Sequence, residues 1–185
     1  MIVSSQQVKS NEWYTPARYI EAAREVMGSI TLDPASCELA NQTVRAARFY
    51  SEEENGLLQP WYGNVWLNPP YSSLDSPRGI SKGNGRPGPT PLFIAKLVDS
   101  YGSREIEQAI LCVNADMCRS WFQCLWEYLI CFASPAVNFA RPHREPEHHF
   151  FSTAFVYLGK REQKFAQIFS KFGTIARRED AWQEQ

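Results

Sequence analysis

Val65-Trp66-Leu67-Asn68-Pro69-Pro70-Tyr71 decides how this chain folds. Three apolar residues read as a short strand and run straight into two prolines. Neither proline donates a backbone N–H, so no helix continues through them. Asn68 precedes a proline and is held to extended backbone. The quartet Asn68–Tyr71 is therefore stiff and stands at the carboxyl end of a strand, where open α/β sheets bind their ligands. Beyond it lies SSLDSPRGISKGNGRPGPT, residues 72–90, with turn composition throughout. The reading is a long mobile loop, and a loop of that length inside a compact domain is functional or disordered.

Outward from this strand, helical and extended patterns alternate. Residues 1–12 are polar and read as flexible. Thr15 caps a helix with Pro16 at its first position. Tyr19, Ile20, Ala23 and Met27 follow at helical spacing, and Gly28 ends it. Ile30–Leu32 is a short strand that delivers Asp33-Pro34-Ala35-Ser36, and a helix covers 37–48. After Glu52-Glu53-Glu54 comes the turn Asn55-Gly56. A helix restarts at Thr90-Pro91, and Ala109–Val113 is a continuous apolar strand. Trp121, Leu125 and Leu129 mark the next helix, although 129–132 reads equally as the start of a strand. A short strand at 137–139, the loop 141–150, a strand at 154–158, a helix at 162–172 and a strand at 174–176 complete the chain. The alternation predicts an α/β sandwich with a mostly parallel sheet and helices on both faces.

Composition narrows the functional classes. The 185 residues suit one domain, 1–185, with no internal repeat and no linker. A hydrophobic content of 44% and a charged content of 21% are globular values. The formal net charge of −1 gives no global attraction to nucleic acid, so any such contact must come from a local basic face. Lys160, Arg161, Lys164, Lys171, Arg177 and Arg178 against Glu162 form one such stretch, which also reads as a solvated helix face. The five cysteines are odd in number and form no CxxC pair, so they read as reduced, mostly buried and cytosolic. His143, His148 and His149 share one loop without a matching cysteine pair, which is not a zinc pattern. The apolar runs are too short to cross a bilayer.

The tetrapeptide carries chemistry as well as shape. Asn68 offers a side-chain carbonyl and Pro69 a backbone carbonyl with no competing donor. Tyr71 offers a flat π-face. Together they suit a planar group bearing an exocyclic –NH2, whose two protons meet two acceptors while its ring stacks. Acceptors placed off the ring plane localise the nitrogen lone pair and so favour the transition state over the ground state. The competing reading is a proline-stiffened turn with a buried tyrosine.

Three elements in order make the pattern specific: Trp13-Tyr14-Thr15-Pro16, Leu32-Asp33-Pro34-Ala35-Ser36, and Asn68-Pro69-Pro70-Tyr71. In this the chain resembles the small phage-type DNA N-6-adenine methyltransferase (Dam) family, clearly over about residues 11–75 and by element order beyond. The resemblance implies a Rossmann-like class I methyltransferase sandwich with no separate target-recognition domain. It implies a site-specific, adenine-specific DNA methyltransferase that uses S-adenosyl-L-methionine and flips its target base, working in the cytoplasm of a bacterial or phage-infected cell. It makes Asn68, Pro69, Pro70 and Tyr71 the catalytic set. Trp13, Tyr14, Thr15 and Pro16 would enter the cofactor pocket, with Trp13 or Tyr14 flanking the methionine or adenosine part. Asp33, with Pro34 and Ala35, would lie beneath the cofactor and bind its ammonium directly or through water. Asn41 follows that motif, and Glu53, Glu54 or Asn55 would reach the ribose hydroxyls or the adenine amine. DNA is the implied partner, with neither metal nor membrane.

Phosphate contacts would come from Arg78, Lys82 and Arg86 in one loop and from Arg141 and Arg144, with His143, His148 and His149, in another. Two loops reading the target imply a short or relaxed sequence preference. One departure from the general methyltransferase pattern is plain: Ser36-Cys37-Glu38 stands where a Gly-x-Gly loop usually follows the first strand. Asn-Pro-Pro-Tyr is also found in enzymes that methylate protein glutamine, and related tetrads in RNA methyltransferases. An inactive DNA-binding module on the same fold is a third reading.

Overall fold

Side chains on a strand point alternately to the two faces of its sheet, and the central strands here are apolar on both. The computed structural model describes residues 13–71, 88–140 and 150–179. In it, Trp66, Ile110, Cys112, Phe155 and Tyr157 pack into one core, while Val65, Leu67, Leu111, Val113 and Val156 pack into another on the opposite face. Strands buried on both faces carry no polar alternation, as expected of a sheet covered twice by helices.

The strands in chain order are β1 Leu32–Asp33, β2 Arg48–Phe49, β3 Gly63–Leu67, β4 Ile106–Asn114, β5 Leu129–Ala133, β6 Val137–Asn138, β7 Phe150–Phe151, β8 Thr153–Leu158 and β9 Gly173–Ala176. Seven of them form one sheet in the order β2-β1-β3-β4-β8-β5-β9, and β6 and β7 pair separately. The helices are α1 Ala17–Met27, α2 Glu38–Val44, α3 Pro89–Gly102, α4 Ser120–Gln123 and α5 Glu162–Phe169, with 3-10 turns at Cys124–Glu127 and Ser170–Phe172. Helices α1 and α5 cover the first face. Helix α3 and the turn around Phe122 and Leu125 cover the second. No helix among the described residues is long and apolar enough to cross a membrane.

The fold is mixed α/β, and the mostly parallel sheet predicted from the alternation is corrected. The ladders β1–β2, β1–β3 and β3–β4 are parallel, but β4–β8, β5–β8 and β5–β9 are antiparallel. The cause lies between β5 and β8. A parallel return needs a crossover, usually a helix. Here the connection is built on the hairpin β6–β7, which turns the chain back against β5.

Several element boundaries also move. Helix α1 starts at Ala17 with Pro16 as its cap residue, so Thr15 is not the cap. Helix α2 stops at Val44, because Arg45 adopts left-handed backbone (φ 48°) and donates its N–H to Asn41 O. Helix α3 begins at Pro89, two residues inside the predicted loop. Two cysteines, Cys112 and Cys131, are buried, while Cys37 is half-buried and Cys118 and Cys124 are exposed, so most are not core. The basic stretch is partly structural: Arg177 pairs with Glu162, and Arg161 Nη1 donates to Val26 O at 3.2 Å.

A buried polar chain ties α1 to the amino ends of β3 and β4. Gln108 Nε2 donates to Met27 O at 3.2 Å and to Asn64 Oδ1 at 3.0 Å, and Asn64 Nδ2 donates to Met27 O at 3.3 Å. Tyr157 Oη donates to Gln108 Oε1 at 2.8 Å and accepts from the Arg161 N–H at 3.0 Å. Every member is satisfied, so removing one leaves its neighbours unpaired in a dry site. Tyr157→Phe is expected to cost about 1–3 kcal/mol, read as a lower urea midpoint at unchanged slope. An unchanged midpoint would show that the chain contributes nothing net.

Candidate active site

In strand order, β1 leads outward to β2 and β3 leads the other way to β4. The reversal leaves a crevice at the carboxyl ends of β1 and β3, the switch point at which α/β sheets bind ligands. A cavity of about 500 Å³ occupies it. Three sequence segments meet there: Trp13–Thr15, Asp33–Cys37 and Asn68–Tyr71 all line the cavity.

The proline pair holds the third segment. Asn68 is half-buried, Pro69 buried and Pro70 exposed. Thr90 Oγ1, in the first turn of α3, donates to Pro70 O at 2.8 Å. The Tyr71 hydroxyl accepts the Asn114 backbone N–H at the end of β4, also at 2.8 Å. Both ends of the quartet are thus anchored to neighbouring elements. The Asn68 amide donates to Trp13 O at 3.1 Å and to Thr15 Oγ1 at 3.5 Å. The hydroxyl of Thr15 is therefore turned to Asn68 instead of capping α1.

Segment 13–15 is held from outside. Tyr14 exchanges backbone hydrogen bonds with Ala140 at 2.9 and 3.0 Å, just beyond β6. The Trp13 ring packs edge-on against Phe151, with centroids 4.8 Å apart. The Tyr14 hydroxyl lies 3.3 Å from Cys37 Sγ, which in turn accepts the Ala40 N–H at 3.5 Å and caps α2.

Asp33 is buried, 3% exposed, at the tip of β1. Burial pushes its carboxyl up to about 7, because the charged form loses its water. The Ala35 N–H, 3.3 Å from Oδ1, opposes this only in part. The Ser36 hydroxyl stands close enough to favour the charge, yet its Oγ is buried and closes no hydrogen bond. No cation from a described residue reaches the carboxylate. A buried carboxyl without a cation and an orphaned hydroxyl in one cavity suit a ligand that brings a positive group. Apolar surface from Trp66 and Phe93 suits a ligand with a flat ring.

The far wall is the turn after the acidic run. Asn55 takes positive φ (52°), and Gly56 packs so tightly on the Asp33–Ser36 loop that an added Cβ would lie 1.9 Å from Pro34 O. Trp61 Nε1 donates to Gly56 O at 2.8 Å, and Lys96 Nζ donates to Leu57 O and Gln59 O, both at 2.7 Å.

Of the sequence-derived set, Trp13, Tyr14, Thr15, Asp33, Pro34, Ala35 and Asn68 through Tyr71 come together. Pro16, Asn41 and Glu54 do not line the cavity. Asn41 folds back on Ala46, accepting its N–H at 2.9 Å. Glu54 pairs with Arg48 and accepts the Ser51 N–H at 3.1 Å. Of the three candidates Glu53, Glu54 and Asn55, only Asn55 lines the cavity, together with Ser51 and Glu52. Arg78, Lys82, Arg86, Arg141 and Arg144, with His143, His148 and His149, lie outside the described residues. Their segments join the chain at Tyr71 and at Ala140, both beside the site. Sequence reasoning missed Cys37, Trp66 and Phe93. The small residues Ser36-Cys37, which follow Asp33-Pro34-Ala35, were the available signal for close approach, whereas Trp66 and Phe93 carry only the pattern of core residues.

Comparison with known proteins places the chain in a family. The profile described as DNA N-6-adenine-methyltransferase (Dam) matches residues 4–143. A DNA N-6-adenine-methyltransferase of Escherichia phage T1 is 29% identical over 113 residues. That match takes in 60% of this chain and 38% of the relative, so the shared part is well under half of the phage protein.

Proposed function

This chain belongs to the DNA N-6-adenine-methyltransferase (Dam) family, and on that premise we propose that it transfers a methyl group from S-adenosylmethionine to the exocyclic N6 of adenine in DNA. One observation carries the reading: Asn68–Tyr71, Asp33 and Trp13–Thr15 converge on a single cavity at the β1/β3 switch point. That switch point, with an antiparallel strand inserted between β4 and β5, supports a Rossmann-like class I methyltransferase architecture. A DNA substrate puts the work in the bacterial or phage-infected cytoplasm.

When bound, the cofactor supplies a methyl group activated on a sulfonium sulfur. Asp33 would hold its ammonium, and the apolar wall at Phe93 its flat ring, in keeping with the buried carboxyl and apolar lining described above. Asn68 Oδ1 and the Pro69 carbonyl accept the two protons of the adenine amine. Drawing those protons out of the ring plane localises the nitrogen lone pair, which stabilises the transition state more than the bound base. Tyr71 stacks on the base. Its hydroxyl is tethered to β4, so the ring is in place before the base arrives. No strong base is required, because the amine proton becomes acidic as the new bond forms and leaves late. A stacked base hides its amine, so the target is flipped out of the duplex.

Asp33 gives this reading a pH signature. A carboxyl raised from 3.8 to about 7 is protonated in the folded protein where the unfolded chain is charged. The ligand-free protein therefore loses stability as pH rises from about 4 to 7, and is flat above that window. The ammonium of the cofactor needs the charged form. Affinity for S-adenosylmethionine is expected to rise up to about ten-fold per pH unit below 7 and to level above it. Asp33→Asn should flatten that rise in calorimetric titrations at pH 6, 7 and 8. A wild-type affinity that does not change with pH would remove Asp33 from the ammonium site.

Incubating the protein with methyl-labelled cofactor and DNA, RNA and protein substrates tests the substrate class. Label confined to DNA supports the proposal. Label in RNA or in protein glutamine moves the same chemistry to another substrate.

A further inference from the structure

We propose that the Trp13 carbonyl and the Thr15 hydroxyl form an orienting clamp that fixes which end of the Asn68 amide faces the substrate, so that position 68 functions only with an amide. The inference rests on the reading of Asn68 as the acceptor for the target amine and deepens it.

A carboxamide has two ends of nearly equal shape and opposite polarity. Only one end can accept a proton from an amine, so the orientation of Asn68 decides whether the site works. Trp13 O, at 3.1 Å, carries lone pairs and no hydrogen, so only Nδ2 can face it. Thr15 Oγ1, at 3.5 Å, takes the second proton of the same –NH2 group. With both protons engaged, Oδ1 points away from segment 13–15 and keeps its acceptor capacity. The clamp cannot drift with its target. Tyr14 is paired to Ala140 by two backbone bonds, the Trp13 ring is lodged against Phe151, and Thr15 is 9% exposed. Flipping the amide would set an oxygen against the Trp13 carbonyl. Aspartate at 68 has the shape of asparagine but no hydrogen to offer, and it meets the same repulsion whichever way it turns. Thr15 is thus a positioning residue, acting through Asn68.

The test uses the whole chain with Thr15→Val, Thr15→Ser and Asn68→Asp. The first readout is the side-chain amide pair of Asn68 in a nitrogen-15 correlation spectrum, assigned by its loss in Asn68→Asp. The clamp predicts slowed hydrogen exchange for both protons, faster exchange for one of them in Thr15→Val, and recovery in Thr15→Ser. The second readout is kinetic. Thr15→Val should lower kcat about ten-fold at saturating cofactor, where a change in cofactor affinity from the altered pocket wall does not enter the readout. Thr15→Ser should recover most of that loss, and Asn68→Asp should lose at least about a hundred-fold. Unchanged amide exchange in Thr15→Val would overturn the clamp, as would an Asn68→Asp enzyme retaining a tenth of wild-type turnover. If the intact protein methylates no adenine, the exchange measurement still decides the clamp, and the failure belongs to the proposed function. If Thr15→Val fails to fold, Asn68→Asp carries the test alone.

Discussion

Replacing Asn68 with alanine is expected to slow methyl transfer by roughly 10²–10³-fold while leaving cofactor affinity within a few-fold, the scale of losing one preorganised acceptor at a reacting centre. The side chain is half-buried at the end of β3, and its amide spends its donors on Trp13 and Thr15. What alanine removes is therefore the acceptor aimed at substrate, together with the link to segment 13–15. Because Pro69 and Pro70 keep the backbone in place, the loss should fall on turnover and not on folding. Single-turnover methylation set beside calorimetric cofactor titration separates the two. A loss confined to cofactor affinity, with turnover intact, would show that Asn68 serves the cofactor and not the base.

Gly56→Ala should weaken the site by another route, through the cofactor. The new methyl would lie 1.9 Å from Pro34 O and 3.0 Å from its carbonyl carbon. Neither partner has room to retreat. Trp61 holds the Gly56 carbonyl, Lys96 holds the turn after it, and Pro34 follows directly on Asp33. Overpacking of this kind costs about 1–3 kcal/mol. Since the displaced loop carries Asp33, cofactor affinity should fall more than ten-fold. Gly102→Ala is the control: nothing lies within 4 Å of its added methyl, at the end of α3. A Gly56→Ala protein that binds cofactor as the wild type does would mean that this turn is not a wall of the site.

The parts of the site that were legible in sequence are those whose backbone is fixed by residue type. Pro69-Pro70 permits little but an extended stop after an apolar run, and Asp33-Pro34 reads in the same way. Their meeting follows once β1 and β3 are neighbours. Strand direction was not legible from hydrophobic pattern. Ala154–Leu158 is buried on both faces, and such a run looks the same in either direction. The residues between Ala133 and Thr153 read as a short strand and a loop and carry no helical pattern, and that was the available signal for an antiparallel return of β8. Thr15 was misread because threonine before a helix is an ordinary cap, and only the three-dimensional approach of Asn68 reveals the competing partner. Asn41 and Glu54 sit near the right motif, yet Ala46 and Arg48 claim them. Sequence position places a polar residue near a site, and its hydrogen-bond partners decide whether it faces inward.

The most direct measurement is nucleoside analysis of unmethylated duplex DNA after incubation with labelled S-adenosylmethionine and either the intact protein or Asn68→Ala. The account predicts N6-methyladenine from the intact protein, reduced at least about a hundred-fold by the substitution. Cofactor binding without any methylated adenine, or equal product from both proteins, would contradict it.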